Sequence, residues 1–381
     1  MIEWRECTLG DIITFQRGHD LPKKNMTGEE YPVAGSNGII GLHNKYTTEA
    51  PAITIGRSGN VGNPYIYYEN IWAHNTTLYI KEYKNSDPEF TYYLLKTMNL
   101  GDYASGSAVP TLNRNHIHTL PVKIPRDIVV QKKIASILKL FDVKIDNNEA
   151  INRNLSEQLK AIFDAWFNQM EPFGGKEPEG TQYVSIEKLC SAVTKGTTPT
   201  TLGMPFTDEG VNFIKGETIL DNHGFDRTKL SYISEDTHGK LKRSQIEQGD
   251  IVFTIAGTLG RFALVDDSMT PANTNQAVAI VRAKTVTPEY LYSFFLGNWH
   301  NDYYTKRIQQ AVQANLSLGT IKSLPIAVLP KKYYEQYLDI INPLICETKR
   351  IEIENFKLAE LRDCLLPKLM SGELNVSDLD M

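Results

Sequence analysis

The sequence predicts an α+β protein: two globular α/β domains separated by a pair of long antiparallel α-helices packed as a coiled coil, with an internal pseudo-two-fold repeat. Three observations lead there. Residues 131–166 carry a heptad seam with no proline or glycine, a second seam recurs near the C-terminus, and four short motifs recur in the same order about 200 residues apart.

In alternating steps of four and three, the first seam reads Ile134, Leu138, Phe141, Ile145, Asn148, Asn152, Leu155, Leu159, Ile162 and Trp166. It is apolar at both ends and polar midway. At about 1.5 Å per residue, such a helix spans roughly 55 Å. One apolar stripe needs a partner. Tyr337, Ile341, Leu344, Thr348, Ile351, Asn355, Leu358, Arg362 and Leu365 keep the same alternation and supply it. Asparagine at a seam position costs stability but fixes register and partner. Pro343 is expected to kink this second helix or delay its first turns. The competing arrangement is two ordinary amphipathic helices, each docked on its own globular core.

The repeat is read from matched segments. Asp87-Pro88-Glu89-Phe90 through Leu95 matches Thr287-Pro288-Glu289-Tyr290 through Phe295. Ser58-Gly59-Asn60-Val61-Gly62 resembles Ala256-Gly257-Thr258-Leu259-Gly260, and Asn75 through Ile80 resembles Asn275 through Ile280. Ile117 through Val122 resembles Ile321 through Ile326, after which each half passes Pro125 or Pro330 and enters its long helix. Short β-rich runs, Ala52–Ile55 and Ile251–Ile255, are bounded by Gly, Asn and Pro. Pro88 and Pro288 suit the first position of a helix. The chain therefore divides into a first domain (1–125), a central long helix (126–170), a Pro/Gly-rich linker (171–180), a second domain (181–330), a C-terminal long helix (331–372) and a frayed tail (373–381).

The chain has 381 residues, which suits two or three domains, and its 41% hydrophobic and 22% charged residues are those of a soluble globular protein. No apolar run reaches membrane-spanning length, and Met1–Glu6 lacks the basic start of an export signal. Cys7, Cys190, Cys346 and Cys364 are scattered, with no metal-ligand spacing. A cytoplasmic protein with reduced thiols, no metal and no membrane contact is expected. The net charge of −5 comes mostly from residues 331–381, while both larger segments are near neutral. A nucleic-acid partner would then need other subunits to neutralise much of its phosphate charge.

Catalytic motifs are missing. There is no GxGxxG with a following ribose carboxylate, no GxxxxGK[ST] loop and no Asn/Asp-Pro-Pro-aromatic tetrad. Glu82-Tyr83-Lys84 has the form of a nuclease Glu-x-Lys, but no aspartate lies between Asp20 and Asp87 to complete a metal site. His116 and His118, beside Arg114, read as an exposed turn rather than a metal or acid–base pair.

The first half carries Trp4…Leu9-Gly10, Tyr31-Pro32-Val33-Ala34-Gly35-Ser36-Asn37-Gly38-Ile39-Ile40-Gly41 and Arg57-Ser58-Gly59-Asn60-Val61-Gly62. The second half carries Gly196-Thr197-Thr198-Pro199, Ala256 through Gly260 and Thr274-Asn275-Gln276-Ala277. With Gln131 through Leu138 and Leu365 through Gly372, these motifs resemble, over nearly the whole chain, the specificity (S) subunits of type I restriction-modification enzymes. The resemblance implies two target-recognition domains that each read half of a split site in double-stranded DNA. It further implies a helix pair that sets the gap and docks two methyltransferase (M) subunits, with motor-nuclease (R) subunits joining them. This chain would be non-catalytic and hold no cofactor. S-adenosylmethionine and ATP would belong to the partners.

Base reading calls for Arg or Lys at guanine and Asn or Gln at adenine. The first-half candidates are Ser36, Asn37, Lys45, Arg57, Ser58, Asn60, His74, Asn75, Thr76 and Thr77. The second-half candidates are Lys215, Lys242, Arg243, Thr258, Arg261, Asn273, Thr274, Asn275 and Gln276. Ser-Asn-Gly is also ordinary turn chemistry, and Asn75 and Asn275 are equally suited to capping backbone groups. Two other readings stay open: a coiled-coil adaptor that never touches DNA, and a self-contained nuclease or methyltransferase.

Overall fold

The computed structural model describes residues 2–106, 110–297 and 316–376. The chain forms two compact units, Met1–Ile145 with Leu358–Met381, and Asp146–Lys357. Both are mixed α/β and share one connectivity. In the first, Trp4–Thr8 pairs with Pro121–Pro125, and a four-stranded sheet runs Ile13–Arg17, Thr77–Tyr83, Ala52–Gly56, Pro64–Tyr67. A third sheet runs Gly38–His43, Tyr31–Gly35, Trp72–Ala73.

In the second unit, Gln182–Ser185 pairs with Pro325–Val328, and the four-stranded sheet runs Cys190–Lys195, Val278–Ala283, Ile251–Thr254, Phe262–Leu264. Its third sheet runs Ser231–Ile233, Val211–Ile214, Ala272–Thr274, with Gln245–Ile246 added at the edge. In both third sheets one contact is parallel: Tyr31–Gly35 with Trp72–Ala73, and Val211–Ile214 with Ala272–Thr274. The motifs repeated in the sequence therefore mark a repeated topology.

The strands follow their side-chain period. Ile251, Phe253, Ala279 and Val281 enter one apolar cluster, and Val252, Val278 and Ile280 enter another on the opposite face. Strands buried on both faces need such continuous apolar runs. The short helices Pro88–Thr97 and Pro288–Leu296 each start with proline in the first turn. Asp87 Oδ1 accepts from the Phe90 N–H at 3.0 Å, and Thr287 Oγ1 accepts from the Tyr290 N–H at 3.3 Å. These caps satisfy donors that the helix itself leaves free.

The first long helix, Ile128–Phe163, is capped by Asp127, whose carboxylate accepts the Val129 N–H at 2.8 Å. A π turn, Asp164–Asn168, follows it. The second, Lys331–Ser371, is unbroken across Pro343. The expected delay of its first turns does not occur, since the helix begins well before the proline. Pro343 and Asp339 are both exposed, so water can satisfy the carbonyl that Pro343 leaves without an N–H.

At the C-terminal end, Gly372 takes φ +82°, and a Cβ there would lie 2.6 Å from the Trp4 ring. Glycine is the residue that stops a helix in this conformation and lets the ring close over it. Part of the segment expected to fray is held in place. Val376 is buried in the first unit's core because it packs with the apolar end of this helix. The rest of that tail, residues 377–381, lies outside the described residues.

Both long helices serve both cores. The first unit's core includes Ile134, Ala135 and Leu138 of one helix and Leu366, Leu369 and Met370 of the other. The second unit's core includes Leu159 and Phe163, then Trp166, with Tyr337, Ile341 and Ile345 opposite. Of the remaining seam residues in the first unit, Phe141, Ile145, Leu358, Arg362 and Leu365 are half-buried. In the second unit Asn148, Leu155 and Ile351 are buried, and Asn152, Ile162, Leu344, Thr348 and Asn355 are half-buried.

Polar contacts link the two helices within each unit. Arg362 Nη1 meets Asp142 Oδ1 at 2.6 Å in the first. In the second, Asn148 Nδ2 donates to Asn355 Oδ1 at 2.7 Å, and Asn152 Nδ2 donates to the Thr348 carbonyl at 3.5 Å.

The joint between short and long helix is solved differently in the two halves. Buried Gln131 accepts the Asp87 N–H at 2.9 Å and donates to the Pro125 carbonyl at 2.9 Å. In the second half the Tyr334 hydroxyl accepts the Thr287 N–H at 2.8 Å. Gln131→Leu leaves an N–H and a carbonyl unpaired and is expected to cost about 2–4 kcal/mol, whereas Tyr334→Phe should cost about 1–2 kcal/mol. Denaturant unfolding of the two variants checks the ranking.

Candidate nucleic-acid interface

In each unit three loops meet at one end of the four-stranded sheet. The first contact is set by a glycine. A Cβ on Gly18 would lie 2.1 Å from the His74 carbonyl oxygen, and on Gly196 it would lie 1.8 Å from that of Thr274. Only glycine lets the two backbones approach so closely. The Gly18 N–H donates to the Thr77 carbonyl at 3.0 Å and the His19 N–H to that of Ala73 at 2.8 Å. In the second unit the Thr197 N–H donates to the Thr274 carbonyl at 3.1 Å. The third loop joins through Arg57 and Ser58, whose N–H groups donate to the Thr76 carbonyl at 2.8 and 3.2 Å. Its counterpart is Ile255, whose N–H donates to the Ala277 carbonyl at 2.8 Å.

This convergence gathers most of the first-half candidates. Arg57 Nη1 donates to the Asn75 carbonyl at 3.4 Å, and the Asn75 amide donates to the Asp20 carboxylate. His74 Nδ1 and Thr76 Oγ1 lie 3.0 Å apart. The hairpin tip brings Ser36 against Gly59, with Asn37 exposed beside it. Asn60 donates to the Tyr65 hydroxyl at 3.2 Å. Lys45 is exposed but not gathered, because it follows His43 at the open end of the hairpin, opposite the tip.

In the second unit, Lys242 and Arg243 are exposed on one turn, and Arg243 Nη2 donates to Thr197 Oγ1 at 3.3 Å. Exposed Gln276 accepts from the Thr198 hydroxyl, and Asn275 Oδ1 accepts the Ala277 N–H at 3.0 Å. Thr258 is exposed in the turn between two strands. Lys215 is held 4.6 Å above the Phe206 ring.

Four candidates need correction. Thr77, Asn273 and Thr274 are fully buried. The Thr77 hydroxyl donates to the His74 carbonyl, that of Thr274 to the Ile214 carbonyl at 2.7 Å, and the Asn273 amide to the Leu241 carbonyl at 3.1 Å. They organise the loops from beneath. Arg261 spends its guanidinium fork on Asp221, with Nε and Nη2 at 2.6 and 2.7 Å from the two carboxylate oxygens. It is an internal tie as the chain stands.

His118 is also not the exposed turn residue expected. It is half-buried, and its Nε2 accepts the Phe15 N–H at 2.9 Å. Burial, then Lys84 and Arg114, push its pKa down and favour the neutral acceptor form.

Sequence reasoning passed over Asp20 and Asp221, which hold candidate side chains, and Ile39 and Ile40, which the hairpin exposes at 56% and 41%. The only sequence signal was the Gly38-Ile39-Ile40-Gly41 run, where the strand's alternation breaks. Among the described residues, no group of His, Cys, Asp and Glu could hold a metal ion, and no helix is long and apolar enough to cross a membrane.

A family model for the type I restriction modification DNA specificity domain matches residues 1–157 and 178–362. The MjaIX specificity subunit of Methanocaldococcus jannaschii is 23% identical over 311 residues, covering 76% of this chain and 70% of that protein. The HindI specificity subunit of Haemophilus influenzae is 23% identical over 363 residues, covering 75% of this chain and 77% of that protein. The crystal structure of the type I restriction-modification S subunit from M. genitalium matches with a TM-score of 0.61 at 16% identity, over 100% of this chain and 97% of that one. That last likeness is one of fold. With a family match over both halves of a duplicated fold, the chain belongs to the type I restriction-modification DNA specificity family, whose members are the non-catalytic specificity subunits of those enzymes.

Proposed function

We propose that this chain reads a bipartite, asymmetric site in double-stranded DNA with two target-recognition domains and serves as the scaffold of a type I restriction-modification complex. One observation carries the reading. The same three loops converge in both units, joined by the hairpin tip in one and by the Lys242–Ser244 turn in the other, and the two sets present different polar side chains. Ser36, Asn37, Arg57, His74, Asn75 and Thr76 stand in one, and Lys242, Arg243, Thr258, Asn275 and Gln276 in the other. A shared frame with divergent donors and acceptors is what two different half-sites require. Exposed Ile39 and Ile40 would suit thymine methyl groups.

The helix pair is the proposed spacer, an antiparallel coiled coil. The burial of its seam and the asparagine contacts that fix its register support this. The 36 residues of the first long helix correspond to about 54 Å, or about 16 base pairs. Residues 1–125 and 181–330 would be the reading domains, and 126–170 and 331–372 the spacer. The pseudo-two-fold repeat suits the docking of two identical methyltransferase subunits, with motor-nuclease subunits beyond them. S-adenosylmethionine and ATP sit on those partners, in the cytoplasm.

Two outcomes are expected of the reconstituted methyltransferase. Arg57→Ala weakens recognition of one half-site and Arg243→Ala that of the other, each by about 1–3 kcal/mol where a bidentate base contact is lost. Methylation of sites altered in one half at a time separates them. Equal losses at both halves, or none, would count against the assignment. Inserting one heptad after Ile145 and another after Lys357 should lengthen the preferred gap by about three base pairs. An unchanged gap refutes the spacer. Methylation or cleavage by the pure chain alone would point instead to a self-contained enzyme.

A further inference from the structure

We propose that residues 215–230 form a brace that fixes the angle at which the second reading domain stands on the second long helix, with Arg227, Lys349, Glu352 and Phe356 as its positioning residues. The inference rests on the functional reading above. In the first unit the strands Tyr31–Gly35 and Gly38–His43 are joined by Ser36 and Asn37 alone. Their counterparts in the second unit, Val211–Ile214 and Ser231–Ile233, are joined by the whole of 215–230. That extra chain folds through two short 3-10 turns, Gly216–Thr218 and Arg227–Lys229, and comes to rest on the helix.

The contacts are specific. The Arg227 guanidinium lies 4.7 Å from the centre of the Phe356 ring. It also donates to the Ser268 carbonyl at 3.3 Å and pairs with Asp266 at 3.7 Å. Lys349 Nζ meets Glu352 Oε2 at 2.8 Å and lies 5.7 Å from the centre of the Phe225 ring. Gly224 sits against the Glu352 carboxyl group. On its other side the segment is tied to the candidate loops. Asp221 grips Arg261, and the His223 ring stacks 4.1 Å from that of Phe262.

The side chains of Lys349, Glu352, Arg227 and Asp266 are only 11–21% exposed. Ion pairs largely out of water add little net stability, but they demand one geometry. A cation on a ring, with its fork held by a carbonyl and a carboxylate, likewise admits few orientations. The brace therefore sets an angle more than it adds cohesion. A reading domain free to rock on its helix would accept half-sites at neighbouring distances, and a braced one would not.

The test uses the reconstituted methyltransferase, with both half-sites kept and the gap varied one base pair at a time. Arg227→Ala and Glu352→Gln should leave the rate at the preferred gap within about twofold of the parent while raising the relative rate at gaps one base pair off at least about fivefold. Base preference within each half-site should not change. Arg227→Lys, which keeps a cation over Phe356, should narrow the profile again. Phe356→Leu is the milder probe should Arg227→Ala fail to fold. A gap profile identical to the parent's in folded Arg227→Ala or Phe356→Leu overturns the brace alone. Loss of second-half base preference in step with rate also overturns it, because that would mark the segment as part of the reading surface. A parent assembly that shows no two-part target at all overturns the functional reading, and the brace with it.

Discussion

Neither globular core is closed by its strands and short helices alone. Each needs apolar side chains from the start of one long helix and the end of the other: Ile134 and Leu138 with Leu366 and Leu369 in one unit, Phe163 with Tyr337 and Ile341 in the other. The apolar faces of these helices would otherwise meet water, at roughly 25 cal/mol per Å² of surface. The same burial completes each core and places the helices together. Between the apolar ends, the seam turns polar around Asn148, Asn152, Thr348 and Asn355. Within the second unit, packing supplies cohesion and these hydrogen bonds add a fixed pairing between the helices.

The two halves share a frame but settle local problems separately. The N–H that opens each short helix is satisfied once by an amide, Gln131, and once by a phenol, Tyr334. The connection between paired strands is a two-residue tip in one half and a segment lying on the helix in the other. Duplication preserved the strand order because the core enforces it. Surface connections and buried polar partners were free to diverge wherever the same donor could still find an acceptor.

What could be read in advance followed the range of the interaction. Heptad spacing, proline in a first helical turn and Gly-flanked apolar runs are local, and they marked the long helices, the short helices Pro88–Thr97 and Pro288–Leu296, and the strands. The loop motifs were legible as repeats. Their individual roles were not. Asn273 and Thr274 looked like surface polar residues, but they belong to the strand Ala272–Thr274, where buried backbone carbonyls recruit them. Arg261 looked like a free cation because its partner Asp221 lies 40 residues away in a connection with no recognisable pattern. Pro343 looked like a helix breaker because sequence does not reveal that it faces solvent.

The closure of Trp4 over Gly372 and the burial of Val376 give the end of the chain an unexpected address. Losing the last two dozen residues, by a premature stop or a protease, would strip a wall from the domain encoded first and leave the one translated just beforehand with its own core intact. The first unit thus draws on residues that leave the ribosome only after the whole of the second unit has been made.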